Sequence, residues 1–388
     1  MKILLLTYRY LLFHRLRTLI LITALTLTLV LPVSVHWLIE SFNEEMVSRA
    51  KVTPLLIGTK GSAYDLILNN VYFILQKLSP LNYGELKFAE ADKLSLGIPL
   101  NIKCTSRKFP IIGTTLEYFD FRKLTLASGT FFQMLGDAVI GSKFSRKFGI
   151  QVGDTIISDP VNLYDISRVY PLKMHVAGIL NESKTPDDEG VFTDVKTSWI
   201  IEGIGHGHSN VSQTASQDIL LARSDSNVAV NDSIVQFNEI TPENIGSFHF
   251  HGNEGGFPLT GIIAIPKDAK TATILKGRYG VATETQIVQP LLIIEDLMRV
   301  IFRIRTFFDL VFSFIAVSTI LFLTLVMLLS VRLRKKEMEI LYKLGCGRKT
   351  MFWMYSGEIL ILLSCGGLLA IILSAIFVLA APDFHKFI

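Results

Sequence analysis

Phe307-Phe-Asp-Leu-Val-Phe-Ser-Phe-Ile-Ala-Val-Ser-Thr-Ile-Leu-Phe-Leu-Thr-Leu-Val-Met-Leu-Leu-Ser-Val331 is long and apolar enough to cross a bilayer as a helix. Roughly twenty apolar residues span the ~30 Å of hydrocarbon. Lipid offers no hydrogen-bond partner to bare backbone, so a helix is the expected spanning form. Two more runs share this character, Thr18 to Ile39 and Gly357 to Ala381. A long polar segment separates the first from the second. The spacing predicts a membrane protein: α-helical transmembrane spans with a large mixed α/β extracytoplasmic domain inserted between spans 1 and 2.

Basic residues set the expected orientation. Lys2, Arg9, Arg15 and Arg17 precede the first span, and Arg332, Arg334, Lys335, Lys336, Lys343, Arg348 and Lys349 fill the short loop between the second and third. Short loops rich in Lys and Arg stay in the cytoplasm. Arg299, Arg303 and Arg305 crowd the other end of the second span, but they belong to a long segment whose charges count for less. The expected divisions are a cytoplasmic N-terminus at 1-17, a transmembrane helix at 18-39, the α/β domain at 40-289 and a stalk helix at 290-306. A second transmembrane helix at 307-331, a cytoplasmic coupling segment at 332-356, a third at 357-381 and an extracytoplasmic tail at 382-388 complete the set. The expected location is the cell inner (plasma) membrane. An uncleaved anchor fits the N-terminus better than a signal peptide, because the apolar core is long and Ser34-Val-His-Trp-Leu38 lacks a small-x-small cleavage pattern. Pro32 is expected to bend that helix near its outer end.

The net charge of +4 calls for no nucleic acid. Much of the basic excess sits in the two cytoplasmic segments. The topology separates Cys104, Cys346 and Cys365, so no internal disulfide is expected.

Within the inserted segment, Pro110-Ile-Ile-Gly113, Met174-His-Val-Ala-Gly-Ile-Leu180 and Leu259-Thr-Gly-Ile-Ile-Ala-Ile265 are short apolar runs bounded by Gly or Pro, the pattern of strands. Gly141 to Gly149 has helical spacing and stops at a glycine. Ser209 to Asp232 is polar and aperiodic, as in a surface loop or subdomain boundary. Pro290 to Phe308 is amphipathic and would extend the second span as a stalk. Gly58 and Gly61 around Lys60 suggest a turn into the domain.

Leu135-Gly-Asp-Ala-Val-Ile-Gly-Ser-Lys-Phe-Ser-Arg-Lys-Phe-Gly-Ile-Gln-Val-Gly-Asp-Thr155 resembles the GxxAVIGxxxAxxLGxxVGDT stretch of the MacB/FtsX/LolC-type ABC transporter permeases. Val176-Ala-Gly-Ile-Leu180 and Gly190-Val-Phe-Thr-Asp-Val195 resemble the strands that follow it. Arg334-Lys-Lys-Glu-Met-Glu-Ile-Leu-Tyr-Lys-Leu-Gly-Cys-Gly-Arg-Lys-Thr-Met-Phe352 is similar to that family's cytoplasmic docking segment. The pattern keeps Glu337, Leu341, Leu344 and Gly345; Glu339 replaces the usual glycine and Tyr342 the usual arginine. Independently of the resemblance, Ile340, Leu341 and Leu344 make an apolar stripe at helical spacing, with Lys and Arg opposite and Gly345 and Gly347 to end the helix. Such a helix can lie on a protein or on lipid headgroups. Glu337, Ile340, Leu341, Leu344, Gly345 and Arg348 are therefore the candidate ATPase-coupling residues.

The chain lacks a P-loop, a Gly-x-Ser-x-Gly elbow and a His-Glu-x-x-His helix. It is expected to be a non-catalytic subunit, with ATPase activity in a separate chain. The resemblance implies a separate ABC ATPase subunit, a homodimer or heterodimer of permeases, surrounding membrane lipid and a periplasmic adaptor or substrate-binding protein. It implies mechanotransmission for export, lipoprotein or efflux work. The alternatives are an FtsX-like regulator of an extracytoplasmic hydrolase and a metal-binding or sensory membrane protein. The family's fourth span has no counterpart here, and the stretch Pro382 to Ile388 is expected outside.

Four of the eight histidines fall in two pairs, His206-Gly-His208 and His249-Phe-His251. On an extended strand, residues two apart share a face, so each pair could offer both imidazoles to one ion. Together they would suit zinc or copper. The opposing expectation is a polar loop, since glycine between His206 and His208 weakens a strand. Among acidic residues, Glu358 and Asp309 are expected near span ends, where a carboxylate costs less than at bilayer depth.

Overall fold

The computed structural model describes residues 2–160, 171–207, 220–224, 227–230, 237–333, 335–343, 345 and 347–380. Along the chain come α1 (Lys2–Phe13), α2 (Arg15–Val52), β1 (Leu55–Thr59), α3 (Ala63–Tyr72), β2 (Leu81–Asn82), α4 (Gly84–Glu90), β3 (Ser95–Leu100) and β4 (Thr105–Ser106). Next are β5 (Phe109–Thr114), α5 (Glu117–Arg122), β6 (Leu126–Gly129), β7 (Asp137–Ile140), α6 (Ser142–Phe148), β8 (Thr155–Ile157), β9 (Lys173–Leu180), β10 (Val191–Asp194) and α7 (Val195–Ile201). They are followed by β11 (Gly205–Gly207), β12 (Leu220–Ser224), β13 (Asn227–Val230), β14 (Phe248–Phe250), β15 (Pro258–Leu259), β16 (Gly261–Pro266), α8 (Ala269–Gly280) and β17 (Thr285–Val288). The last described elements are α9 (Pro290–Leu333), α10 (Lys335–Lys343) and α11 (Arg348–Ala380). The chain divides into one unit of residues 1–46 and 296–388 and another of residues 47–295.

The inserted unit is mixed α/β. Its smaller sheet has the order β17-β1-β16-β3, and its larger sheet runs β4-β5-β10-β7-β9-β6 with β8 also paired to β9. In the larger sheet β10 is parallel to β5 and antiparallel to β7, while β7 is parallel to β9. Strand β9 alternates half-buried with buried positions, so Met174 and Val176 point into one core. They pack there with Ile111, Ile140, Phe144 and Val191. A second core gathers Leu55, Ile57, Ile262, Ala264 and Trp199 under α8 residues Leu275 and Tyr279. Helix α8 begins at a capping box, with Asp268 and Thr271 each accepting the other's backbone N–H.

The expected strands around Ile111, Val176 and Ile263 are β5, β9 and β15 with β16. Helix α6 ends at Gly149, whose φ of +66° is the left-handed conformation of a helix C-cap. Gly153, at φ +92°, turns the chain into β8. Gly58 departs from expectation. It sits inside β1 rather than in a turn, because any Cβ there would run into Leu66 of α3, and only glycine lets strand and helix close up. Most of 209–232 lies outside the described residues; the part described pairs as β12 with β13. Cys104 and Cys365 are free thiols, and Cys346 lies outside the described residues. Burial pushes the Cys104 thiol up to about 12, which keeps it uncharged and unreactive at neutral pH.

The other unit is helical. Helices α2, α9 and α11 are each long and apolar enough to cross a membrane, and the chain is a multi-span membrane protein. Helix α2 does not stop at Ile39 but continues to Val52, with Pro32 inside it. Helix α9 has 44 residues, about 66 Å at 1.5 Å per residue, so stalk and second span are one continuous helix. Helix α11 likewise begins at Arg348, nine residues before the apolar run that marks the third span. Hydroxyls bridge these helices where lipid offers no partner. Thr26 donates to the Gly366 carbonyl at 3.3 Å, Ser374 to the Val30 carbonyl at 3.3 Å, and the Thr28 and Thr319 hydroxyls meet at 3.1 Å.

Gly366 lies against Leu25, and a Cβ at that position would enter the Leu25 side chain. Small residues allow this close helix approach. Gly366→Ile is expected to overpack the contact and cost about 1–3 kcal/mol. A lower thermal midpoint in detergent, against an unchanged midpoint for Gly367→Ile, where a Cβ meets nothing, is the measurement that checks it.

Candidate functional site

Among the described residues, three places carry chemistry beyond packing: the connector between α9 and α11, the buried ion pairs, and the histidines at and just after β11 and β14. In the connector, α10 holds Glu337, Ile340 and Leu341, Arg348 opens α11, and Leu344 lies outside the described residues. Ile340 is 60% exposed and Tyr342 58% exposed. These two apolar surfaces are presented on a short basic helix rather than buried. Gly345, at φ +95°, ends that helix, and its N–H donates to the Tyr342 carbonyl at 3.0 Å.

Glu358 is not at the start of its helix, as the apolar run suggested, but well inside α11. It is 2% exposed and pairs with the guanidinium of Arg17. A buried carboxylate needs such a partner, since an unpaired ion in an apolar setting costs several kcal/mol. Asp309 is exposed and lies 3.8 Å from Arg305, which also contacts His36 at 2.5 Å and Glu40 at 3.8 Å.

In the α/β unit, Arg49 of the last turn of α2 grips Asp187 with both arms, at 2.5 and 3.0 Å. Its Nε donates to the Val71 carbonyl at 2.5 Å, and Tyr118 of α5 donates to Asp187 at 2.7 Å. Arg49, Tyr118 and Asp187 are all buried. Burial alone would push the Asp187 carboxyl up; the charge of Arg49 and its hydrogen bonds overrule this and hold it at about 2. The network anchors the end of α2 to a turn of the domain. The local sequence signals for this network are only an arginine in the last turn of α2 and the Pro186-Asp-Asp-Glu189 turn.

The histidines meet in part. Strands β11 and β14 pair antiparallel, with His206 directly opposite His249. Rings of His206, His249 and His251 have centroids 4.8–4.9 Å apart, and one ligand atom from each lies within 4.8 Å of the others. His208 lies outside the described residues. Gly205 and Gly207 do not loosen the strand, as glycine there suggested. The rings of Phe250 and Phe248 lie over them, in the space a Cβ would need. Those phenylalanines pack on the cores, and Trp199 backs Phe250 at 6.2 Å between ring centroids. Glu254, close behind in sequence, pairs instead with Lys196 at 3.2 Å.

Residues 310–387 match the family model described as FtsX-like permease C-terminal. The matched stretch takes in most of the second span, the connector and the third span. Solved structures similar to this chain include the periplasmic region of MacB from Actinobacillus actinomycetemcomitans, with 11% identity and a TM-score of 0.35 over 63% of this chain and 92% of that one. Another is the extracellular domain of the noncanonic ABC-type transporter YknZ from Gram-positive bacteria, with 11% identity and a TM-score of 0.32 over 60% of this chain and 98% of that one. No curated protein sequence matches the chain.

Proposed function

We propose that this chain is the membrane subunit of an ABC transporter of the mechanotransmission type, worked by a separate ATPase subunit. The observation that carries the proposal is the FtsX-like match over 310–387, which spans the second and third spans and the helix between them. The connector docks on the ATPase through Ile340, Leu341 and Leu344, with Glu337, Gly345 and Arg348 as the other coupling residues. Closure of the ATPase pair pushes α10, and α9 carries the push along one unbroken helix toward the α/β unit. Helix α2 delivers the same displacement to Arg49 and, through Asp187, to the larger sheet. The basic segments support a reading with α10 in the cytoplasm and residues 47–295 outside it.

In this reading cargo or a partner is moved at the outer surface and needs no route through the bilayer. The permease works as a dimer, homomeric or heteromeric, and a periplasmic adaptor or substrate-binding protein takes up the motion. The test is purification of the tagged full chain from native membranes followed by an ATPase assay. An ABC ATPase that co-elutes with activity supports the proposal; a chain that purifies without any nucleotide-hydrolysing partner opposes it. A hydrolase bound to the outer unit, in place of cargo, is the outcome that turns the reading toward a regulator.

A further inference from the structure

We propose that His206, His249 and His251 form a site for one zinc-class divalent cation, held by three imidazole nitrogens with a fourth position open to water or an exchangeable ligand. Zinc takes neutral imidazole nitrogens at about 2.0–2.1 Å in tetrahedral geometry, and three-histidine sites leave one position free. Tetrahedral ligands at that bond length sit about 3.3 Å from one another. The three ligand atoms here already lie within 4.8 Å of one another. Small side-chain rotations on a fixed backbone close that gap.

The backbone is fixed by the strand pair. His206 and His249 face each other in register, and His251 follows two residues after His249, on the same side of an extended chain. On the opposite side Phe248 and Phe250 are packed against the cores, so the histidines have no freedom to exchange faces with them. The glycines at 205 and 207 permit that packing, which accounts for the Gly-His-Gly pattern without invoking a loop.

A second contact prepares His249 as a ligand. Its Nδ1 lies 3.0 Å from the Ser247 carbonyl oxygen. A carbonyl oxygen only accepts, so Nδ1 carries the proton and Nε2 keeps its lone pair. Backbone carbonyls orient metal-binding histidines in this way. The donor set contains no thiolate and no carboxylate, and Glu254 is engaged with Lys196. All-imidazole sites favour zinc, copper and nickel over magnesium or calcium. This site stands within the α/β unit and does not depend on the ATPase reading.

The test uses the purified full chain in detergent, stripped with a chelator and titrated with zinc chloride alone. One saturable equivalent per chain is expected. His249→Ala should weaken binding by at least the 10–100-fold that loss of even an outer partner costs, and the triple alanine variant should remove it. His251 is exposed, so His251→Ala leaves the fold unchanged, verified by circular dichroism, and must weaken zinc on its own. Cobalt should give the visible absorption of a four-coordinate ion, absent in the triple variant, and magnesium should give no heat. Absence of saturable zinc binding, or zinc bound equally well by the triple variant, overturns the proposal.

Discussion

Asp187→Ala is expected to destabilise the α/β unit by about 3–5 kcal/mol, because it leaves the Arg49 guanidinium buried without a counter-charge. The loss exceeds what any surface substitution in this unit would cause, since Arg49 and Asp187 have side chains only 5% and 1% exposed. Trp199, fully buried in the same unit, reports unfolding by its fluorescence during denaturant titration of the full chain. The double variant Arg49→Met with Asp187→Leu should recover most of the loss, as apolar replacements of a buried pair often do. A drop below about 1 kcal/mol for Asp187→Ala contradicts the anchoring role, on the scale of an exposed ion pair.

The same carboxylate gives a pH signature. Its folded value of about 2 lies below the ordinary aspartate value of 3.8. A depressed carboxylate contributes stability that is fully present above its unfolded pKa and is lost as pH falls through the folded one. On the order of 2 kcal/mol should therefore disappear between about pH 4 and pH 2. Asp187→Asn should flatten that part of the profile.

The second large effect is expected at the connector. Ile340→Asp places a charge on the exposed apolar surface of α10, and at an interface centre such a change costs about 2–4 kcal/mol, or on the order of 30- to 1,000-fold in affinity. The variant should insert and fold normally, since Ile340 packs on little of its own chain, yet lose the co-purifying ATPase. Lys335→Ala, on the basic side of the same helix, should change association by much less. Equal ATPase recovery with Ile340→Asp and wild type would show that the helix is not the docking element.

The three apolar runs, the strands around Ile111, Val176 and Ile263, and the stop of α6 at Gly149 were legible because each rests on local periodicity and one glycine. Helix ends were less so. Hydropathy marks where lipid ends and not where a helix ends, so α2 outran Ile39 and α11 began ahead of Gly357. Gly58 was misplaced because its reason is a neighbour, Leu66, eight residues away across a turn. The grip of Arg49 on Asp187 joins positions 138 residues apart, and the partner of Glu358 lies 341 residues away. Neither is visible in a window of local sequence. The histidine pairs were legible as pairs, whereas their convergence waited on the register of β11 with β14.

Coupling of a cytoplasmic ATPase to an outer domain requires α10 and the α/β unit to lie on opposite faces of the membrane. Single cysteines placed at the exposed positions Lys335 and Lys267, with Cys104, Cys346 and Cys365 replaced by serine and that parent as control, test this with a membrane-impermeant maleimide. Labelling of Lys267→Cys in intact spheroplasts, with Lys335→Cys labelled only after permeabilisation, is the result predicted. The reverse pattern, or labelling of both in intact spheroplasts, contradicts the coupling of an outer domain to a cytoplasmic ATPase.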